Sequence, residues 1–434
     1  MIAQPQQKEY SPRKTYDILV VGGGLVGMTA AIACAGAGLC VALVDREDPR
    51  LFLTAPFDGR SSAIARGSRQ ILEGLGLWRY MADKASPIHN IRVSDGRAGP
   101  LGSTGWTSGL YLHYDADDLD GSPLGFIVEN RVIREALSCR LETLSDLTVF
   151  APAQLATLTR NSYGVQATLT SGLEIKAALV VAADGRNSGL RKSAGIAVDS
   201  WDYPQVGIVT TVGHGLPHGG VAHEHFLPSG PFALLPMTCG PLVDCGPDTE
   251  RSSLVWTERR EIAKSVMALD DTDFAAELQR RFGSSLGKLT VAGKRWCYPL
   301  SLLHARSYTA ERLILVGDAA HAIHPIAGQG FNLGIRDVAV LAEAVVDAAR
   351  LGLDIGGAQV AADYERWRRF DAVTLVVVTD LLNRLFSNDI APLRFARDFG
   401  LAAVNQLPPV KRFFMRHAMG LVGELPRLTR GEPL

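Results

Sequence analysis

Residues 18–44, ILVVGGGLVGMTAAIACAGAGLCVALV, run for 27 positions without a charge. That is longer than the ~20 apolar residues needed to cross a bilayer. Six of the 27 are glycines, however, and their placement argues for a different structure. Ile18–Val21 is a short apolar run, and Gly22, Gly24 and Gly27 follow at G-x-G-x-x-G spacing. An alanine-rich, helix-compatible segment then reaches Ala37 and stops at Gly38, and a second apolar run, Val41–Val44, ends in Asp45. Strand, tight turn, helix, strand and acid make a βαβ unit whose strands are buried on both faces. In such a unit Gly22 permits the turn, Gly24 lets backbone approach a pyrophosphate, and Gly27 lets the helix pack close to the sheet. The helix N-terminus offers unpaired N–H groups to the phosphates. Asp45, 18 residues past Gly27, is spaced to accept both ribose hydroxyls. The unit therefore predicts a dinucleotide site, and NAD and FAD share its fingerprint.

No second G-x-G-x-x-G occurs in the chain. Two later apolar runs, 179–182 (LVVA) and 313–316 (LILV), instead end in Ala183-Asp184-Gly185-Arg186-Asn187-Ser188 and in Gly317-Asp318-Ala319-Ala320-His321. Each places an aspartate just past the carboxyl end of a buried strand, where open α/β sheets bind ligands. Either aspartate alone is also explained as a helix N-cap; three strand-end acids around one glycine turn are harder to explain that way. The 434 residues allow two to three domains at roughly 150 residues each. With 44 basic against 45 acidic residues, no whole-chain charge favours nucleic acid. Glycine, 44 of 434, exceeds its usual ~7%, as expected where backbone must bend tightly or approach a ligand. The six cysteines form no C-x-x-C pair and read as reduced thiols, and no metal cluster or Ser-His-Asp set is evident. Residues 1–14 lack an apolar signal core, so the expected compartment is the cytoplasm.

The block 317–337, GDAAHAIHPIAGQGFNLGIRD, resembles that of the ubiquinone-biosynthesis flavoprotein hydroxylases. These lie within the single-component FAD-dependent aromatic monooxygenases, relatives of para-hydroxybenzoate hydroxylase. The resemblance extends over most of the chain: Asp58-x-Arg60, LGFIVENRVIREAL at 124–137, DGRNSGLR at 184–191, YPQVGIV at 203–209, GPFALLP at 230–236 and TDLLNRLFS at 379–387. One position departs: Glu224-His225-Phe226 stands where the family usually has Glu-Arg-Phe, which weakens any claim to a positive charge near the substrate.

The resemblance implies an α/β fold, with a Rossmann-like FAD-binding βαβ domain, a β-sheet substrate domain and C-terminal helices. The expected partition is a discontinuous FAD domain (14–75, 125–198 and 295–352), a substrate domain (76–124 and 199–294) and a helical region (353–434). Within the substrate domain the tract 98–125 reads as loop with one short strand. By resemblance, Gly22, Gly24, Gly27 and Asp45 hold the ADP half of FAD, and Arg60 and Arg131 lie along its phosphate and adenosine side. Asp184 contacts FAD indirectly and helps NAD(P)H engage, and Asp318 binds the ribityl chain. Gly328, Gly330 and Asn332 open a helix running to about Ala349, closed by Gly352, whose N-terminus faces the flavin pyrimidine edge. His321 and His324 fall in the block near the flavin, as structural histidines or as proton donors. His324 and Pro325 are the residues expected at the ring. No substrate-deprotonating base is identifiable.

The activity implied is ring hydroxylation of a polyprenylated phenol through a flavin C4a-hydroperoxide, with NAD(P)H and O2 as co-substrates and water excluded. The alternatives are a hydroxylase of a small soluble aromatic and a flavin-loaded scaffold of a biosynthetic complex. A flavin halogenase is disfavoured because W-x-W-x-I-P is absent. Over 384–434 eight Lys and Arg stand against four Asp and Glu. There Val410, Phe413, Phe414, Ala418, Leu421 and Val422 share a helical face, with Arg412 and Arg416 facing away. Such a helix either touches an anionic inner-membrane surface or a ubiquinone-pathway protein, or packs on the core.

Overall fold

The structure is a computed structural model, in which residues 15–48, 59–97, 106–238, 250–323, 328–386, 400 and 403–434 are described. The chain opens with β1 (Thr15–Val21), α1 (Leu25–Gly36), β2 (Val41–Val44), β3 (Ser61–Ala65), α2 (Arg66–Gly74) and β4 (Ser86–Ile88). It continues through β5 (Asn90–Arg97), β6 (Trp106–Asp115), β7 (Gly125–Glu129), α3 (Asn130–Leu141), β8 (Leu147–Phe150), β9 (Leu155–Asn161) and β10 (Gly164–Leu169). Next come β11 (Glu174–Ala182), α4 (Gly189–Ser193), β12 (Val198–His214), β13 (Val221–Leu227), β14 (Gly230–Pro236) and β15 (Glu250–Arg259). Then follow α5 (Arg260–Met267), α6 (Asp271–Phe282), β16 (Leu289–Val291), β17 (Trp296–Ala305), β18 (Thr309–Ala310), β19 (Leu313–Leu315) and β20 (His321–Ala322). Helices α7 (Gln329–Arg350), α8 (Ala358–Phe386), α9 (Pro408–Ala418) and α10 (Arg427–Arg430) end it.

The first sheet runs β18-β19-β11-β1-β2-β8, and β19, β11, β1, β2 and β8 are parallel neighbours. Parallel pairing puts the carboxyl ends Val21, Val44, Ala182 and Leu315 along one edge. Helix α1 packs on β1, β2 and β8, and both faces of these strands are covered: Ile18, Leu19, Val20, Val41, Ala42 and Leu43 are fully inaccessible. The uncharged 18–44 stretch thus belongs to the buried core, and no helix among the described residues is long and apolar enough to cross a membrane.

The second sheet, β20-β17-β12-β15-β14-β13-β5-β6, is antiparallel except at β13/β5. Phe274 and Phe282 of α6 pack on one face with Phe232, Trp256 and Ile208. A third, three-stranded sheet, β3-β7-β4, stands beside them.

Three expectations need correction. β17 falls in the segment 295–352 assigned to the FAD domain, yet it pairs with β12 from Val198↔Ala305 to Val209↔Trp296 and belongs to the second sheet. β6 is no short strand in a loop: it spans ten residues, whose Trp, Thr and Tyr side chains favour a strand and which pair with β5 from Asn90↔Asp115 to Arg97↔Trp106. Finally, α9 stops at Ala418, and Gly420 turns at φ +70°, so Leu421 and Val422 lie beyond its end. Its buried side chains are Met415, and Met419 just after it, packed on Ala116 and Leu124, while Val410, Phe413 and Phe414 are 39, 54 and 45% exposed.

Candidate functional site

Three turns meet at the carboxyl edge of the first sheet. At Gly22 φ is +108°, and a Cβ there would lie 2.3 Å from the Ala183 carbonyl oxygen. A Cβ on Gly27 would lie 1.9 Å from the Gly22 oxygen, so α1 can approach the turn only without side chains. Gly24 differs: it caps α1 in extended backbone, and a Cβ there would meet nothing within 4 Å. The first turn of α1 has neither an acidic residue nor a side-chain cap, which leaves its N–H groups and dipole free for an anion beside that open space. Asp45 follows β2 directly; one carboxylate oxygen accepts the Gly23 N–H and the other the Glu47 N–H at 2.7 Å.

At the second turn Asp184 accepts the Leu190 N–H at 3.2 Å through Oδ2, while its buried Oδ1 has no hydrogen-bond partner among the described residues. A buried carboxylate oxygen left unpaired costs about 1–3 kcal/mol or more. At the third, Gly317 (φ +59°) leads into Asp318, which is exposed to solvent and yet surrounded by protein. That enclosure raises its carboxyl above the usual range, against the opposing pull of His321 and Arg186. The buried Arg191 guanidinium ties the second turn to the third, donating to the carbonyls of Arg186 and Ala319, both at 2.8 Å.

The start of α7 completes the edge. Gly328 (φ +62°) caps it, Gly330 faces open space, and Gly334 sits 2.6 Å, by its built Cβ, from Val26 of α1. Asn332 has a different role from a cofactor ligand: its side-chain amide is occupied. It donates to the Ala63 carbonyl at 2.7 Å and accepts the Ala65 N–H at 2.8 Å, clamping β3 to α7. Arg60 and Arg131 stand together at the other end of β3, where the Asn130 N–H bonds the Arg60 carbonyl at 3.0 Å. Both are exposed; Arg60 lies 5.9 Å from the Tyr298 ring centroid, and Arg131 pairs with Glu129. His324 and Pro325 lie outside the described residues.

Sequence reasoning missed a buried ion cluster beneath the third turn. Asp337 accepts the Gly317 N–H at 2.9 Å and the Arg368 Nε–H at 2.7 Å, and His321 Nε2 lies 2.8 Å from it. Burial opposes the charge on Asp337, but His321 and Arg368 prevail and hold its carboxyl below the usual range. Arg368 also donates to Asp371 at 2.6 Å, which pairs with Arg336. Asp337 could have been suspected as the last residue of the 317–337 block; no local pattern marks Arg368, 31 residues away on α8.

Next to the α7 start a cavity of about 140 Å³ lies between β3, α9 and one face of β5, β6 and β13. Ile88, Ile91, Val93 and Met415 wall it, and Tyr114 and Glu224 are its titratable groups. The departing His225 is no part of it: His225 stacks on His223 over Phe282, on the α6 side of the sheet, and its ring bonds Ser94 at 2.8 Å. A larger cleft of about 820 Å³ lies between α7, α8 and residues 417–429, but none of the three turns lines it.

A buried unpaired carboxylate oxygen, open space at Gly24 and Gly330 and an uncapped helix start fit an extended ligand carrying a diphosphate and hydroxyls. Comparison with known proteins agrees. Residues 15–352 match the FAD binding domain family. The chain is 49% identical over 427 residues to the ubiquinone hydroxylase UbiL of Rhodospirillum rubrum, covering 98% of this chain and 95% of that one. It is 35% identical over 409 residues to the 3-demethoxyubiquinol 3-hydroxylase of Escherichia coli, covering 93 and 98%. The solved p-nitrophenol 4-monooxygenase of Pseudomonas putida superposes with a TM-score of 0.75 at 19% identity, over 95% of this chain and all of that one. The chain belongs to the FAD binding domain family.

Proposed function

We propose that this FAD-dependent monooxygenase hydroxylates the aromatic ring of a polyprenylated phenol in ubiquinone biosynthesis, with NAD(P)H as reductant and O2 as co-substrate. The observation that carries the reading is the apolar cavity beside the α7 start, with only Tyr114 and Glu224 to recognise a ring hydroxyl by charge or phenol. Bound FAD supplies the redox chemistry, taking electrons from NAD(P)H and activating O2.

The chain's own residues do the rest. The α1 start and Gly24 hold the pyrophosphate, Asp45 the adenosine ribose, and Asp318 the ribityl hydroxyls. Asp184, through its free Oδ1, reaches the cofactor directly or through water. The N-terminus of α7, at Gly328 and Gly330, faces the pyrimidine edge, where its dipole stabilises negative charge by roughly 0.3–2 kcal/mol depending on burial. His324 and Pro325 complete the ring's surroundings, and Arg60 and Arg131 guide the phosphate side. Apolar walls keep water from the reacting carbon. Methionines 415 and 419 on the α9 side are unbranched and adaptable, which suits a wall that a prenyl tail must pass. The outer side of α9 carries exposed Val410, Phe413 and Phe414 beside exposed Arg412 and Arg416, which supports contact with an anionic membrane surface. The expected location is the cytoplasmic face of the inner membrane.

Complementation of strains that each lack one ring-hydroxylation step, with accumulated quinone precursors identified by mass spectrometry, tests the reading. Rescue of one step supports it; protein that stays colourless after FAD reconstitution and rescues none overturns it.

A further inference from the structure

Strand alternation sorts the side chains of β13. His223 and His225 point toward α6, with ring centroids 5.2 and 5.3 Å from Phe282, so Glu224 between them projects from the opposite face. That face holds the cavity. In register, Glu224 lies opposite Val93 of β5, and Ile91 of β5 lies opposite Tyr114 of β6. All four line the same space. Among its described lining residues Glu224 is the one carboxylate and Tyr114 the one phenol; the amides are Gln329 and Asn332, and Asn332 is committed to Ala63 and Ala65. Burial, helped by the nearby Glu224, pushes the Tyr114 hydroxyl up to about 12. Tyr114 therefore stays a neutral donor across the working pH range, and the carboxylate is left as the strong acceptor. With His225 facing away, position 225 contributes no cation to the cavity.

We propose that Glu224 accepts the hydrogen bond, and during turnover the proton, of the substrate's ring hydroxyl, with Tyr114 a neutral donor in the same wall. The assignment rests on the ring-hydroxylase reading above. The step is balanced without a further reagent: the ring O–H bond breaks, its electron pair stays on the ring oxygen, and a new O–H forms on a Glu224 Oε. The ring gains electron density where electrophilic oxygen must add. Charge is moved and none is created, since a neutral phenol beside a carboxylate becomes a phenolate beside a carboxylic acid. A low-dielectric wall opposes such a transfer far less than it opposes forming a new ion.

The test uses full-length, FAD-loaded protein with 2-prenylphenol and its methyl ether as probes. Binding is followed by perturbation of the flavin absorbance, and turnover by hydroxylated product and hydrogen peroxide. Glu224→Gln should keep its FAD content and thermal midpoint, yet lose hydroxylation by about a hundredfold at pH 7, a usual size for a general base. The deficit should shrink as pH approaches the phenol's own pKa near ~10, where the substrate ionises unaided, and Glu224→Asp should recover part of the rate. Glu224→Leu should bind phenol and methyl ether alike, whereas the wild type prefers the phenol. Glu224→Gln with the wild-type rate and pH profile, or with a deficit constant at every pH, overturns the role of Glu224 alone. A wild type that neither binds nor hydroxylates the phenol overturns the ring-hydroxylase reading, and this inference with it.

Discussion

Each glycine and acid of the first turn makes a separable claim about folding or binding. Alanine at Gly27 would drive its Cβ to 1.9 Å from a backbone oxygen that cannot yield, so Gly27→Ala should lower the thermal midpoint of the apoprotein by several degrees. Alanine at Gly24 would meet no atom, so Gly24→Ala should leave that midpoint alone and weaken FAD, because the methyl enters the space held for the diphosphate. Equal effects of the two in differential scanning and flavin titration would contradict this division. Asp45→Ala removes a charged acceptor from the adenosine ribose. At about 1.5–3 kcal/mol for such a bond, FAD should dissociate ten- to a hundredfold more readily, read by fluorescence after dialysis. These positions were legible because glycine and a strand-end acid announce their backbone geometry locally. Asn332 was not: the amide that reads as a ligand in a Gly-rich block instead completes the hydrogen bonding of β3, 267 residues earlier, and no local pattern encodes a partner at that distance. Arg191, which joins two turns through backbone carbonyls, was invisible for the same reason.

At the scale of elements, period and register decide what faces what. The βαβ unit was readable because its runs Ile18–Val21 and Val41–Val44 are apolar throughout and a glycine, Gly38 at φ +92°, follows its helix. The second sheet was harder, since β17 is assigned by its partner β12 and the tract feeding β6 is rich in small and polar residues. Once the register is known, the Glu-His-Phe departure loses its force, because position 225 faces α6. Facing α6 has an energetic consequence. Burial holds His225 down to about 4, and burial together with His225, Arg92 and His214 holds His223 down to about 3, against 6.5 for a free imidazole. Both rings are thus neutral in the fold, while the unfolded chain takes up protons below about 6.5. Their contribution is complete above that pH and is lost as pH falls toward the folded values. Between pH 6.5 and 5 the loss is on the order of 2 kcal/mol for each ring. Urea denaturation should show a lower midpoint at pH 5 than at pH 7, and His223→Leu should flatten that slope. An identical slope in the variant would remove His223 from the account.

For the whole molecule, the C-terminal region is coupled to the cofactor edge and to the cavity while presenting an apolar exterior. Arg368 of α8 reaches Asp337, which holds the Gly317 N–H, so the third turn leans on a helix outside the nucleotide fold. On the other side α9 is anchored by Lys411 to Asp118 at 2.5 Å and by the Met419 carbonyl, which accepts the Gly67 N–H at 3.0 Å. Met415 and Met419 face inward, and Phe413 and Phe414 outward. One short helix therefore separates an apolar cavity from an exposed patch, and substitutions on its two sides should act independently. Phe413→Ser with Phe414→Ser removes side chains that are about half exposed, so it should change stability little while abolishing flotation with vesicles containing anionic lipid. Flavin content should stay at the wild-type level, because the inward methionines are untouched. Arg412→Glu with Arg416→Glu should reduce flotation too, most strongly at low salt, where exposed charges act over the longest range. Truncation after about residue 405 should differ from both, since it also strips the methionine wall and exposes the reaction to water. NAD(P)H oxidation should then run increasingly to hydrogen peroxide instead of hydroxylated product. Undiminished flotation by the serine pair would show that the exposed phenylalanines serve something other than a lipid surface.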